Sequence, residues 1–148
     1  MGLSYSVQSA VFNVLSQDAA LSGILAPHNT FTRSAIYDSV PQPNDAGKRV
    51  EFPYITIGED GIEDWSTDTS SGGDAVVNVH VWSRQAGWSE AKLIAAAIYD
   101  ALHRKELLTP DFDFVHCEFE GERIIRDDDG VTMHIHTEYR MRLEANHA

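Results

Sequence analysis

Between Val76 and His103 the chain changes its hydrophobic period once. In VVNVHVWS, Val77, Val79 and Val81 alternate with Asn78, His80 and Trp82, which predicts a strand with one apolar face and one mixed face. After a short polar link, Ala91, Ile94, Ala95, Ile98 and Leu102 recur at three- and four-residue spacing and form a single helical stripe. Neither face is stable in water. Burying Ile94, Ile98 and Leu102 contributes roughly 1.5–3 kcal/mol each, and the nearest partner for that stripe is the valine face just before it. Strand plus helix is therefore the expected core unit.

Upstream, Val7, Ala10, Val11, Val14 and Leu15 share one face of a predicted amphipathic helix over residues 4–16, with Ser4 or Ser6 available as its N-cap. Asp18 can cap a further turn or two carrying Leu21, Ile24 and Leu25, which Pro27 ends. Residues 35–38 suit a short edge strand, and FPYITIG at 52–58 suits a strand with Pro53 confined to its start. Residues 59–73, EDGIEDWSTDTSSGG, read as a long polar excursion around Trp65, so the pair 52–58 with 75–83 is expected to carry a projecting loop or hairpin arm.

The cleanest alternation is at the end of the chain. Val131, Met133, Ile135, Tyr139, Met141 and Leu143 face one way, and Thr132, His134, His136, Glu138, Arg140 and Arg142 the other. A hairpin with residues 113–126 follows, and its register can be argued. Pairing Arg126 with Val131 would put Glu118, Glu120 and Glu122 on the apolar face. Pairing Asp127 with Val131 across Asp128-Asp129-Gly130 instead matches Ile125 with Met133, Phe119 with Tyr139, Cys117 with Met141 and Val115 with Leu143. That register also sets Glu122 opposite His136 and Glu118 opposite Arg140. At about 3.3 Å per residue such a strand is long enough that a bulge or projecting tip is expected. No repeat or linker divides the chain. The expected fold is α+β, a single domain over residues 1–148, with a mainly antiparallel sheet of four to five strands and two main helices packed on one face.

Composition narrows what such a domain does. With 23 acids against 11 Lys and Arg, the formal charge is -12, which leaves few cations to neutralise phosphates and argues against nucleic-acid binding. The single cysteine, Cys117, excludes an internal disulfide and paired-thiol zinc motifs, and it falls on the core face, where a thiol is inert. Synthesis in a reducing cytoplasm is expected, with no export signal and no membrane span.

Candidate chemistry is sparse. His134 and His136 share a strand face, and the register above brings Glu122 beside them, so a His/His/carboxylate metal site is the one enzyme-like or ligand-binding alternative. It lacks a fourth ligand. His116 and Cys117 point to opposite faces and cannot act as base and nucleophile, and DDDG at 127–130 is explained by a tight turn rather than a calcium loop. No phosphate-binding glycine motif or nucleophile elbow is present. Trp65, flanked by acids in its loop, either tucks back onto its own domain or anchors a partner, and the same choice applies to Trp82 and Trp88. The mixed face of the strand at 76–82 is too apolar for free solvent and points to self-association.

Several ordered segments then coincide with a known pattern: AIYDSVP, FPYITIGED, DWSTDTSSGGD, VNVHVWSR, EAKLIAAAIYDALH and RDDDGVTMH. Together they resemble the DUF3168 family of tail terminator or tail-completion proteins from long-tailed bacteriophages and gene transfer agents. The resemblance implies a subunit that forms a ring, a homo-hexamer, capping the tail tube at the head-proximal end of the virion tail. Its implied partners are further copies of itself, the major tail tube protein, and a head–tail connector or head-completion protein. DNA would pass through without specific binding, and assembly would occur in the bacterial cytoplasm. No catalytic residue and no cofactor is implied. The matching positions are Asp64, Trp65 and Ser66, then Trp82, Ser83 and Arg84, then Asp127, Asp129 and Gly130. With His80, the residues Asp64, Trp65, Ser66, Trp82 and Arg84 are the candidate assembly contacts.

Overall fold

The computed structural model describes residues 3–28, 31, 33–40, 42, 47, 49–64, 72–107, 109 and 112–145. The apolar stripe of the first segment makes helix α1, Leu3–Gln17, and buries Val7, Ala10, Val11 and Leu15. Because α1 begins at Leu3, Ser4 and Ser6 sit inside the helix rather than capping it. Asp18 does cap the next one: its carboxylate accepts from the Leu21 N–H at 3.0 Å and opens α2, Ala19–Ile24.

The strands are β1 (Ile36–Tyr37), β2 (Tyr54–Asp64), β3 (Gly72–Ser83), β4 (Phe112–Arg126) and β5 (Met133–Ala145), with helix α3 (Ser89–Leu102) between β3 and β4. They form one five-stranded sheet in the order β1-β2-β3-β5-β4, antiparallel except for the β1–β2 pair. α3 carries the chain from β3 past β5 to the far edge, and the hairpin turns back so that β5 fills the gap. α1 and α3 pack on the same face of the sheet, α1 over β1–β3 and α3 over β3, β5 and β4. The core lies between, where Val77, Val79 and Val81 meet Ile94, Ile98 and Leu102 as expected, joined by Ile135, Tyr139 and Met141.

Two expectations are sharpened by the structure. Of the excursion at 59–73, the described part is strand: β2 continues to Asp64, β3 starts at Gly72, a bulge between Gly58 and Gly61 absorbs one extra residue, and residues 65–71 lie outside the described residues. Alternation had suggested that these strands ended where polar residues began, but backbone pairing continues without an apolar face.

In the terminal hairpin the expected register needs correction. Val115–Leu143, Cys117–Met141, Glu118–Arg140 and Phe119–Tyr139 pair as expected, but beyond a bulge between Phe119 and Gly121 the register moves by one. Met133 stands opposite Arg126, Ile124 opposite Ile135, and Glu122 opposite Thr137 rather than His136. The turn explains the shift. Asp127 N–H donates to Thr132 O, so the loop runs over Asp128–Val131, and Gly130 takes a φ of 72° within it. The Asp129 carboxylate accepts from the N–H groups of Val131 and Thr132, both at 2.8 Å, and from the Thr132 hydroxyl at 2.7 Å. Side-chain capping of the turn fixes the tip, and the bulge restores the buried register nearer the core.

Those three hydrogen bonds hold the Asp129 carboxyl down at about 2, chiefly through Thr132. A lowered folded-state value means that its stabilisation is present above the unfolded carboxyl's value near 4 and is lost as pH falls through about 2. The amide resonances of Val131 and Thr132 should therefore titrate together with a midpoint near pH 2, and Asp129→Ala should abolish that titration. A midpoint near 4 would show that the turn is not held this way.

Candidate assembly surface

The sheet face away from the helices is built by the same alternation that builds the core. Rows across the strands can be read from the register: Tyr54, Trp82, His134 and Ile125; then Thr56, His80, His136 and Arg123; then Gly58, Asn78, Glu138 and Gly121. The first two rows form a pavement of flat rings. Trp82 stacks on His134 with centroids 3.9 Å apart and planes at 10°, and on its other side lies 6.1 Å from Tyr54. His80 stacks on His136 at 4.7 Å and lies 4.9 Å from His134. The run continues from Tyr54 through Tyr37 to His28, with centroid spacings of 5.8 and 4.8 Å.

Hydrogen bonds lock these rings. Trp82 Nε1–H donates to Thr56 Oγ1 at 3.0 Å, and His136 Nε2 donates to Asn78 Oδ1. His80 Nδ1 and His134 Nε2 are 2.7 Å apart and share one proton. At the β1 end the pavement is covered by its own chain, where Ala26, Ala35, Tyr37 and Tyr54 form a second small cluster with Val50, Phe52 and Trp82 packed against it. Burial there raises the Tyr54 phenol above its ordinary value.

The other half of this face is ionic. Arg140 Nε lies 2.7 Å from Glu120 Oε1, Arg142 Nε lies 3.2 Å from Asp74 Oδ1, and His116 Nε2 lies 2.7 Å from Glu118 Oε1. The His116 hydrogen bond, more than the nearby Arg104, holds the Glu118 carboxyl below its usual range. Exposed pairs of this kind are screened by water, so they set charge pattern more than stability.

The candidate contacts fall into three groups. His80 and Trp82 are half-buried in the pavement. Arg84 sits at its margin, with its guanidinium 4.2 Å above the Phe52 ring and its Nε donating to Thr132 Oγ1 at 3.2 Å. Asp64 ends β2 opposite Gly73, whereas Trp65 and Ser66 lie outside the described residues. Tyr54 was missed by sequence reasoning. Fixing the register of the 52–58 with 75–83 pairing would have placed it beside Trp82.

The alternative metal set is not brought together. Arg123, a cation, occupies the place opposite His136 that Glu122 was expected to fill, and both His134 and His136 are engaged elsewhere. Among the described residues no group of three or more His, Cys, Asp or Glu is placed to hold a metal ion. Cys117 is buried, which pushes its thiol up to about 12, far above the range of a nucleophile. No helix among the described residues is long and apolar enough to cross a membrane.

Comparison with known proteins extends these observations. The tail completion protein gp17 of Bacillus phage SPP1 is 33% identical over 88 residues, a match covering 60% of this chain and 65% of that protein. A chain in the virion of a native gene transfer agent particle has the same fold, with a TM-score of 0.79 and 28% identity over 97% of this chain and 98% of that one. The family model for the tail completion protein gp17 matches residues 9–144, and this chain belongs to that family.

Proposed function

We propose that this chain is a structural, non-catalytic subunit of a virion tail. It assembles with copies of itself into a ring, a hexamer, that caps the head-proximal end of the tail tube and meets the head connector or head-completion protein. The observation that carries this reading is the family match across residues 9–144, and the near full-length likeness to a gene transfer agent virion chain supports it.

The physical chemistry of the chain is consistent with that task. A formal charge of -12 supplies few cations to grip phosphates, so DNA can slide past without being held. The ring pavement is rigid before any partner arrives, and preorganised aromatic surface loses little side-chain freedom on binding. A strand face meant only for water carries no such array. Trp82, His80 and His134 are thus assembly contacts, with Arg84 at the rim. Asp64, Trp65 and Ser66 mark the end of the β2–β3 hairpin as a further contact.

Native mass measurement of the purified chain, alone and with tail tube protein, tests the proposal. A closed oligomer is expected in at least one condition. A monomer in both, at all accessible concentrations, would contradict it.

A further inference from the structure

Two grooves lie at opposite edges of the sheet, about 19 Å apart by strand spacing across five strands. At one edge, α3 stops short of the β4 tip and leaves a groove of about 470 Å³ walled by Tyr99, Phe119 and Ile124. Ile124 faces the helix layer through its pairing with Ile135, yet it is 43% exposed, and Tyr99 is 39% exposed. Asp100, Glu122 and Lys92 rim this groove. At the other edge, α1 and β1 frame a groove of about 360 Å³ that includes Phe12 and Phe31. Phe31 is 58% exposed, and Tyr5, one and two helical turns before Gln8 and Phe12 on the same stripe, is 61% exposed. Arg33 stands at the centre of this edge, its guanidinium 5.1 Å from the Phe12 centroid and 4.9 Å from that of Phe31. Asp38 is beside it.

The two edges complement each other and neither complements itself. The α1–β1 edge offers protruding rings with a fixed cation; the α3–β4 edge offers a recess with two carboxylates and one lysine. Arg33 complements Asp100 and Glu122 in charge, and Asp38 complements Lys92. We infer that the α1–β1 edge of one copy docks into the α3–β4 groove of the next, a head-to-tail contact that joins successive subunits in one ring. This rests on the ring reading above and assigns its subunit interface to the helix-layer edges, which leaves the ring pavement for a different partner. A contact between unlike surfaces repeats around an axis and closes when its rotation divides the circle.

The inference is tested by mixing Phe31→Cys protein with Ile124→Cys protein under oxidising conditions, in solution and on tail tubes. Cys117, the native thiol, is buried and does not compete. Each variant alone should remain uncross-linked, whereas the mixture should yield a covalent dimer. Arg33→Glu or Glu122→Arg alone should weaken assembly at least tenfold, and the two combined should recover most of it. Cross-linking of either single variant alone would indicate a two-fold contact and overturn the inference. Intact rings with no cross-link in the mixture would overturn it while leaving the ring reading in place, and a chain that never assembles would remove both.

Discussion

Ile98→Asp should leave no folded protein at 25 °C. Ile98 has no exposed surface and sits at the centre of the α3 stripe, against the face formed by Val77, Val79 and Val81. The substitution forfeits roughly 1.5–3 kcal/mol of apolar burial. It also places a carboxylate among buried apolar side chains, a further cost of several kcal/mol even after the group neutralises itself. Against a total stability of about 5–15 kcal/mol for a domain of this kind, that is most or all of the margin. Ile98→Val, which removes one methylene, should cost only about 0.5–1.5 kcal/mol. Chemical denaturation followed by circular dichroism checks both. A cooperative transition for Ile98→Asp within about 1 kcal/mol of wild type would show that α3 is not packed as described.

Trp82→Ala should separate folding from assembly. The indole stacks on His134 at 3.9 Å and donates to Thr56 at 3.0 Å, so its removal costs the subunit stability. A fully buried Trp→Ala change costs about 3–5 kcal/mol, and a half-buried one on the face opposite the main core should cost about 2. The subunit should therefore still fold. Assembly should fall by more: an aromatic anchor at the centre of an interface is worth about 2 kcal/mol or more, roughly thirtyfold in the equilibrium constant. Unfolding midpoints and native mass measured on the same preparation give the two effects side by side. Binding of tail tube protein at wild-type strength would show that the pavement is not an assembly contact.

Much of this architecture was legible from periodicity, and the places where it was not share a cause. Val77 to Val81 and Ile94 to Leu102 announced themselves because each has one buried face, which leaves no freedom in period or register. The lower hairpin, from Val115 to Phe119, was readable for the same reason. Its tip was not. Ile124 is 43% exposed and Glu122 lies on an uncovered edge, so the hydrophobic pattern there exerts little force, and the Asp129–Thr132 hydrogen bonds decide the register instead. Likewise the strand extensions to Asp64 and from Gly72 carry no apolar alternation for a sequence reading to detect. The assembly surface was half legible. His80 and Trp82 stood out as apolar and aromatic residues on a polar face, but the stacking of His134 on Trp82 depends on strand order, with β5 beside β3, which no single strand reveals.

Family membership makes this chain a tail component, and the proposed function puts it at the end of the tail that meets the head. Electron microscopy of purified particles in which this chain carries a label tests that placement most directly. A ring of label confined to the head–tail joint is the predicted result; label spread along the tail, or absent from finished particles, would contradict it.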